Sequence, residues 1–285
     1  MLQIQGIESE AVVDYREREI TPEMRYPRLS RRVKIYESSM IEWNNIYIGT
    51  SGWAYPHWQG PFYPAGRKKK DFLAYYVDHF RTVEINNSFY KLPSAETLSR
   101  WKGTAPSGFI FALKASRYIT HMKKLKDPGD TLPRLLEAAK ALGDKLGPIL
   151  FQFPPRWHLN MDRFMDFLDA LPTDFRYAFE FRDPDWQVPS VYEALREMGA
   201  AFCIFELSGF LTPKEITADF VYIRLHGPDG AYRGEYDTST LAGWAGAMTH
   251  WAGEGREVFC FFDNDEAGYA VQNALRLRKM LNKEV

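Results

Sequence analysis

From residue 46 onward the apolar and polar positions fall into a repeating pattern. Short runs rich in Val, Ile, Phe and Tyr alternate with segments of helical period, the signature of βαβ units and a parallel sheet. The runs 46–50, 82–86, 109–114, 148–152, 177–182, 201–205, 220–226 and 257–262 read as strands. Helix punctuation stands between them: Ser94 caps ETLSRW, Asp130 or Thr131 precedes PRLLEAAKAL, and Gly143 and Gly199 fall where helices should stop. Eight strands with following helices close a cylinder, so the expected class is α/β, a (β/α)8 barrel of the TIM type over residues 46–285. A doubly wound open sheet is the alternative, but no glycine-rich dinucleotide turn follows any run. Residues 1–45 mix Arg and Glu without a period. They read as an extension outside the barrel, either a disordered tail or a docked arm, and Met40 leaves open an over-extended gene start.

Parallel strands covered on both faces should be continuously apolar. These are so at their starts and then break the rule near their ends. Period-2 alternation puts Glu84 with Asn86 on one face, and Val83 with Ile85 on the other. In the same way it aligns Lys114 with Ala112, Gln152 with Leu150, Glu180 with Arg182, and Arg224 with His226, and the last strand ends in Asp263 and Asn264. Helices need the bulky apolar face, so the polar face must be the lumen. Strand C-terminal ends are where barrels build their sites. A purely structural ion-pair layer is the competing reading, and it carries the desolvation cost of every buried charge.

The loops at the same end add aromatic and basic material. Trp53, Tyr55, His57, Trp58, Tyr63, Tyr90, Trp157, Trp186 and Tyr232 could wall a slot for a flat ring, or simply seal the barrel top. The runs at 67–70 and 117–126, with Arg117, His121, Lys123, Lys124 and Lys126, could meet phosphates. Glu84, Glu180, His226 and Asp263 are a conceivable set for a divalent metal, although Lys114, Arg182 and Arg224 would compete for the carboxylates.

The formal net charge of -1 supplies no global attraction to nucleic acid or membrane, so any polyanion contact must be local. Two cysteines, Cys203 and Cys260, both in apolar runs, argue against a disulfide framework and suit a reducing cytoplasm. No apolar stretch approaches the ~20 residues of a membrane span, and the N-terminus lacks a signal-peptide core.

Seven blocks taken together, GTSGWAYPHWQGPFYP, VEINNSFYKLP, FALKASRYITHMKKLKD, LGPILFQFPP, FEFRDPDW, YIRLHGP and FFDNDEAGYAVQNA, resemble the signature of the domain of unknown function 72 family, the YecE-like proteins. The resemblance spans residues 46–282 and implies a barrel of TIM type without implying an activity. It carries over Glu84, Asn86, Tyr90, Lys114, Gln152, Glu180, Arg182, Trp186, Arg224 and His226 as the signature polar set. Asp263-Asn264 departs from a pattern that more often resembles two asparagines.

The functional expectation is a hydrolase or lyase acting on a small anionic ligand, phosphorylated or nucleotide-like. Glu84, Glu180 and His226 would move protons. Asn86, Tyr90, Lys114, Gln152, Arg182, Trp186, Arg224, Asn264 and Trp53 would bind substrate. The alternatives are a non-catalytic barrel that binds nucleic acid or a partner through its basic loops, and a glycoside hydrolase-like enzyme using Glu84 and Glu180.

Overall fold

The computed structural model describes residues 45–282, so the expectation for residues 1–45 falls outside the described residues apart from Asn45. Eight parallel strands form the barrel wall: β1 Ile46–Thr50, β2 Thr82–Ile85, β3 Ile110–Lys114, β4 Leu146–Gln152, β5 Tyr177–Glu180, β6 Ala201–Leu207, β8 Phe220–Leu225 and β9 Glu257–Phe262. They follow the order β1-β9-β8-β6-β5-β4-β3-β2, and a short strand, β7 Phe210–Leu211, folds back antiparallel on β6. The helices between them are α1 Phe72–Val77, α2 Ala95–Thr104, α3 Pro128–Lys140, α4 Met161–Asp169, α5 Pro189–Met198, α6 Thr238–Gly253 and α7 Tyr269–Leu281. None of these is long and apolar enough to cross a membrane.

Two cores follow from the alternation. Outward residues such as Val83, Ile85, Phe151, Phe179 and Ile223 pack under the helices, while Ala112, Leu150, Ala178, Cys203, Tyr222 and Phe261 fill the lumen. Local signals set the helix starts. Ser94, Asn160 and Asp237 accept hydrogen bonds from the N–H groups of Thr97, Arg163 and Thr240, and Gly199 closes α5 with a left-handed φ of 68°.

Two expectations need correction. No helix follows β6; the chain turns through β7, and Thr212 and Thr217 accept from the N–H groups of Phe205 and Phe202. Helix α3, between β3 and β4, starts at Pro128 rather than after Asp130 or Thr131, because Pro128 takes the first-turn position where no N–H is needed and Pro133 is carried inside.

The barrel is strong at one seam and thin at its neighbour. β1 pairs with β9 from Ile46↔Val258 to Thr50↔Phe262, whereas β1 and β2 meet only at the Ser51↔Glu84 bridge. There the Gly52 N–H donates to the Glu84 carbonyl at 2.9 Å. The Tyr76 hydroxyl, from α1, accepts from the Thr50 N–H at 3.0 Å and donates to the Thr82 carbonyl at 3.2 Å. A side chain thus does what a strand ladder would do elsewhere. The approach depends on Gly49, where a Cβ would lie 2.3 Å from the Thr82 carbonyl oxygen. Gly49→Ala is therefore expected to cost about 1–3 kcal/mol and to lower the melting temperature by roughly 3–10 °C. Gly103→Ala in α2, where an added Cβ meets nothing within 4 Å, should instead leave stability equal or higher; calorimetry of both variants checks the contrast.

Candidate functional site

Above the apolar lumen lies one ionic layer, centred on Arg224 of β8. Its guanidinium donates to Glu84 Oε1 at 2.8 Å, Glu180 Oε2 at 2.6 Å, Asp263 Oδ2 at 3.1 Å and Ser51 Oγ at 3.2 Å. Glu84 also accepts from Ser51 Oγ at 2.8 Å and from the Tyr222 hydroxyl at 2.7 Å. Arg182 Nε donates to Glu180 Oε1, and Arg182 Nη2 lies 2.9 Å from His226 Nε2. Because arginine has no acceptor, that bond takes the imidazole lone pair, and the proton of a neutral His226 sits on Nδ1, 3.1 Å from Asp263 Oδ2. Burial alone would raise the Glu180 carboxyl, but Arg182 and Arg224 outweigh it and hold it well below the usual range. Asp263 is lowered on the same balance, with burial opposed chiefly by Arg224 and His226.

An open pocket of about 1110 Å³ lies over this layer, lined among others by Asn86, Lys114, Arg117, His121, Arg182 and Asp263. Phe89, Tyr90, Phe205, Phe210 and Tyr232 give it aromatic walls. Lys114 ends β3 with its side chain almost fully buried and its Nζ 4.5 Å from the centre of the Phe89 ring. Among the described residues it has no carboxylate within ion-pair distance. Burial and the nearby Arg224 charge pull its amine down to about 8. His121, against the other side of the cluster with its ring 5.0 Å from Phe89, is pushed down to about 4 by burial and by Lys114.

His121 and Arg117 come from an irregular segment. Tyr118–Met122 is a single π-helical turn, and Lys124, Leu125 and Asp127 follow with left-handed φ values of 47°, 65° and 53°. Strain of this kind at non-glycine residues concentrates at functional sites. A second cavity of about 780 Å³ adjoins across Asn86 and Tyr90, and holds Trp53, Trp101, Lys69, Lys70 and Arg100.

The residues expected at the mouth are sorted by depth. Asn86, Tyr90, Lys114, Gln152, Arg182 and Asp263 line the pocket. Glu84, Glu180, His226 and Arg224 do converge, but they lie fully buried and outside the pocket lining. Trp186 is corrected to the outer core: it stacks on Phe181 with ring centres 5.2 Å apart and donates to the Trp157 carbonyl. Asn264 is likewise structural, its amide donating to the Gly234 carbonyl and to Asn273 Oδ1, both at 2.8 Å. Trp53 belongs to the second cavity. The carboxylates proposed for a metal have Arg224 threaded between them, so the cation they hold is a guanidinium. A different group, His158, Asp183 and Asp185, brings three ligand atoms within 4.8 Å, but His158 already pairs with Asp185 at 2.7 Å.

Comparison with known proteins agrees with this architecture. A DUF72 family protein of Thermotoga maritima MSB8 superposes with a TM-score of 0.75 at 28% identity, covering 84% of this chain and 99% of that one. A DUF72 family protein of Enterococcus faecalis V583 shares the fold with a TM-score of 0.72 at 21% identity, covering 83% and 95%. The UPF0759 protein YunF of Bacillus subtilis is 26% identical over 272 positions, covering 84% of this chain and 95% of YunF. The UPF0759 protein YecE of Escherichia coli K12 is 31% identical over 150 positions, half of each chain. The family model described as "Protein of unknown function DUF72" matches residues 47–285, and this chain belongs to that family.

Proposed function

We propose that the mouth binds a small anionic compound, phosphorylated or nucleotide-like, and that the protein is an enzyme acting on it by proton transfer. One observation carries this reading: the pocket's cations are split by depth. Arg224, below the floor, has its charge matched by Glu84, Glu180 and Asp263. Lys114 and Arg117, in the pocket, meet no carboxylate within ion-pair distance among the described residues, whereas Arg182, which also lines it, is paired with Glu180. Unmatched cations around a half-apolar pocket are what a phosphate or carboxylate group would meet.

The proton carriers in this reading differ from those expected from sequence. Glu84 and Glu180 give both their oxygens to buried donors. Lys114, drawn down to about 8, lies in the range where a group both gives and takes a proton near neutrality. His226 acts through others, holding Arg182 in the wall while Asp263 fixes its ring. A glycoside hydrolase-like activity finds no support, since neither glutamate lines the pocket. The second cavity, with its Trp pair and three cations, favours one further reading: a single-stranded nucleic acid running across Tyr90 from one cavity to the other.

Inorganic phosphate or pyrophosphate in hundredfold excess over its Kd should raise the melting temperature by roughly 5–10 °C. No shift with either anion overturns the reading, while binding only of oligonucleotides, weakening steeply with salt, favours the second one. The two kinds of arginine should separate in the same assay. Arg117→Ala is expected to weaken phosphate binding about tenfold with little change in stability. Arg224→Met takes the shared cation away from Glu84, Glu180 and Asp263 and should cost about 3–5 kcal/mol of stability.

A further inference from the structure

We propose that Lys114 is a covalent nucleophile whose amine condenses with the aldehyde or ketone carbonyl of an anionic compound to form an imine in the mouth pocket. The inference rests on the anion-binding reading of that pocket, and adds the substrate's reactive group to it.

Position is the first support. Lys114 is the last residue of β3, and its carbonyl is fixed by the Ser88 hydroxyl at 2.6 Å. Its stem is therefore held at a strand end, and its amine faces a space large enough for a small metabolite. The second support is the missing partner. In the same layer three carboxylates all turn to guanidinium groups, and none reaches Lys114 within ion-pair distance among the described residues. A lysine kept only to balance charge would have one. Its neighbour is instead the face of Phe89, 4.5 Å from the nitrogen, which offers no atom to take its proton.

The third support is electrostatic and chemical. Burial and Arg224 favour the uncharged amine, against the weaker opposing pull of Glu84, Asp263 and Glu180. A desolvated lysine next to another cation is the arrangement that makes an amine nucleophilic near neutrality. His121, packed on the same Phe89 ring, is kept uncharged at neutral pH and so adds no competing charge to the pocket. Arg117 and Arg182 would seat the anionic group.

The step balances within the pocket. The ammonium releases one proton to solvent through the open pocket, and the free nitrogen attacks the carbonyl carbon as the carbon–oxygen π bond breaks. A proton passes from nitrogen to the new oxygen, giving a carbinolamine. The carbon–oxygen bond then breaks, and one water leaves with a second proton from nitrogen. The product is an imine, with no change of oxidation state.

The full-length protein is incubated with pyridoxal 5′-phosphate or with pyridoxal, reduced with borohydride, and mapped by mass spectrometry. The expected result is a reduced adduct at Lys114 that forms about tenfold or more faster than adducts at the exposed Lys68, Lys140 and Lys279, and faster with the phosphate ester than with pyridoxal. Lys114→Arg should lose this adduct. Because the comparison among lysines is made within one wild-type sample, it holds even if the variant fails to fold. Lys114 labelled no faster than the surface lysines overturns the proposal, and a phosphate shift that persists beside that result leaves the anion site standing alone. Equal labelling by pyridoxal and its phosphate supports the imine and removes the anion-binding reading.

Discussion

The guanidinium of Arg224 is the interaction on which the barrel's upper half depends. Moving a charge out of water costs several kcal/mol per ion, and the cost is recovered only when geometry and hydrogen bonds are nearly complete. Here one cation reaches Glu84 on β2, Glu180 on β5 and Asp263 just after β9, and so ties together three parts of the wall across the lumen. The carboxylates are in turn completed by Ser51, Tyr222, Arg182 and His226. Removing Arg224 would leave three carboxylates without their shared cation. The pocket floor is therefore a fixed surface.

That fixed surface also sets the chemistry above it. Because the carboxylates are claimed from below, they neutralise Lys114 poorly, while the positive charge of Arg224 still acts on it. Stability and reactivity have the same source: the layer that holds the strands together leaves a lone amine at its upper edge. The wall loops add His121 on a π-helical turn and Arg117 just before it, outside the regular βα pattern.

Much of this was legible in the sequence, because side-chain alternation in a strand is a hard geometric rule. It told which face of β2 carries Glu84 and which carries Val83, and it brought residues from five strands to one end. It did not tell depth. Glu84 and Asn86 share a face two positions apart, yet one lies under the floor and the other in the pocket wall. Asn264 and Trp186 sat at the right end of their strands but point into packing between strand and helix, since the chain turns directly after β9 and β5. His121 was read only as part of a basic run. It stands on the π-helical turn Tyr118–Met122, and these residue types give no local sign of such a turn. The helix expected after β6 was lost for a related reason: threonine hydroxyls can satisfy backbone amides as a covering element would.

The thin join between β1 and β2 has a consequence for how the cylinder moves. Breathing motions concentrate where the fewest backbone bonds must break, and here that is a single bridge backed by the Tyr76 hydroxyl. Glu84 stands at that same slit, gripped by Arg224 from within. The barrel behaves like a split ring with its clasp on the inside: the charge cluster keeps the gap shut, and whatever loosens the clasp loosens the ring.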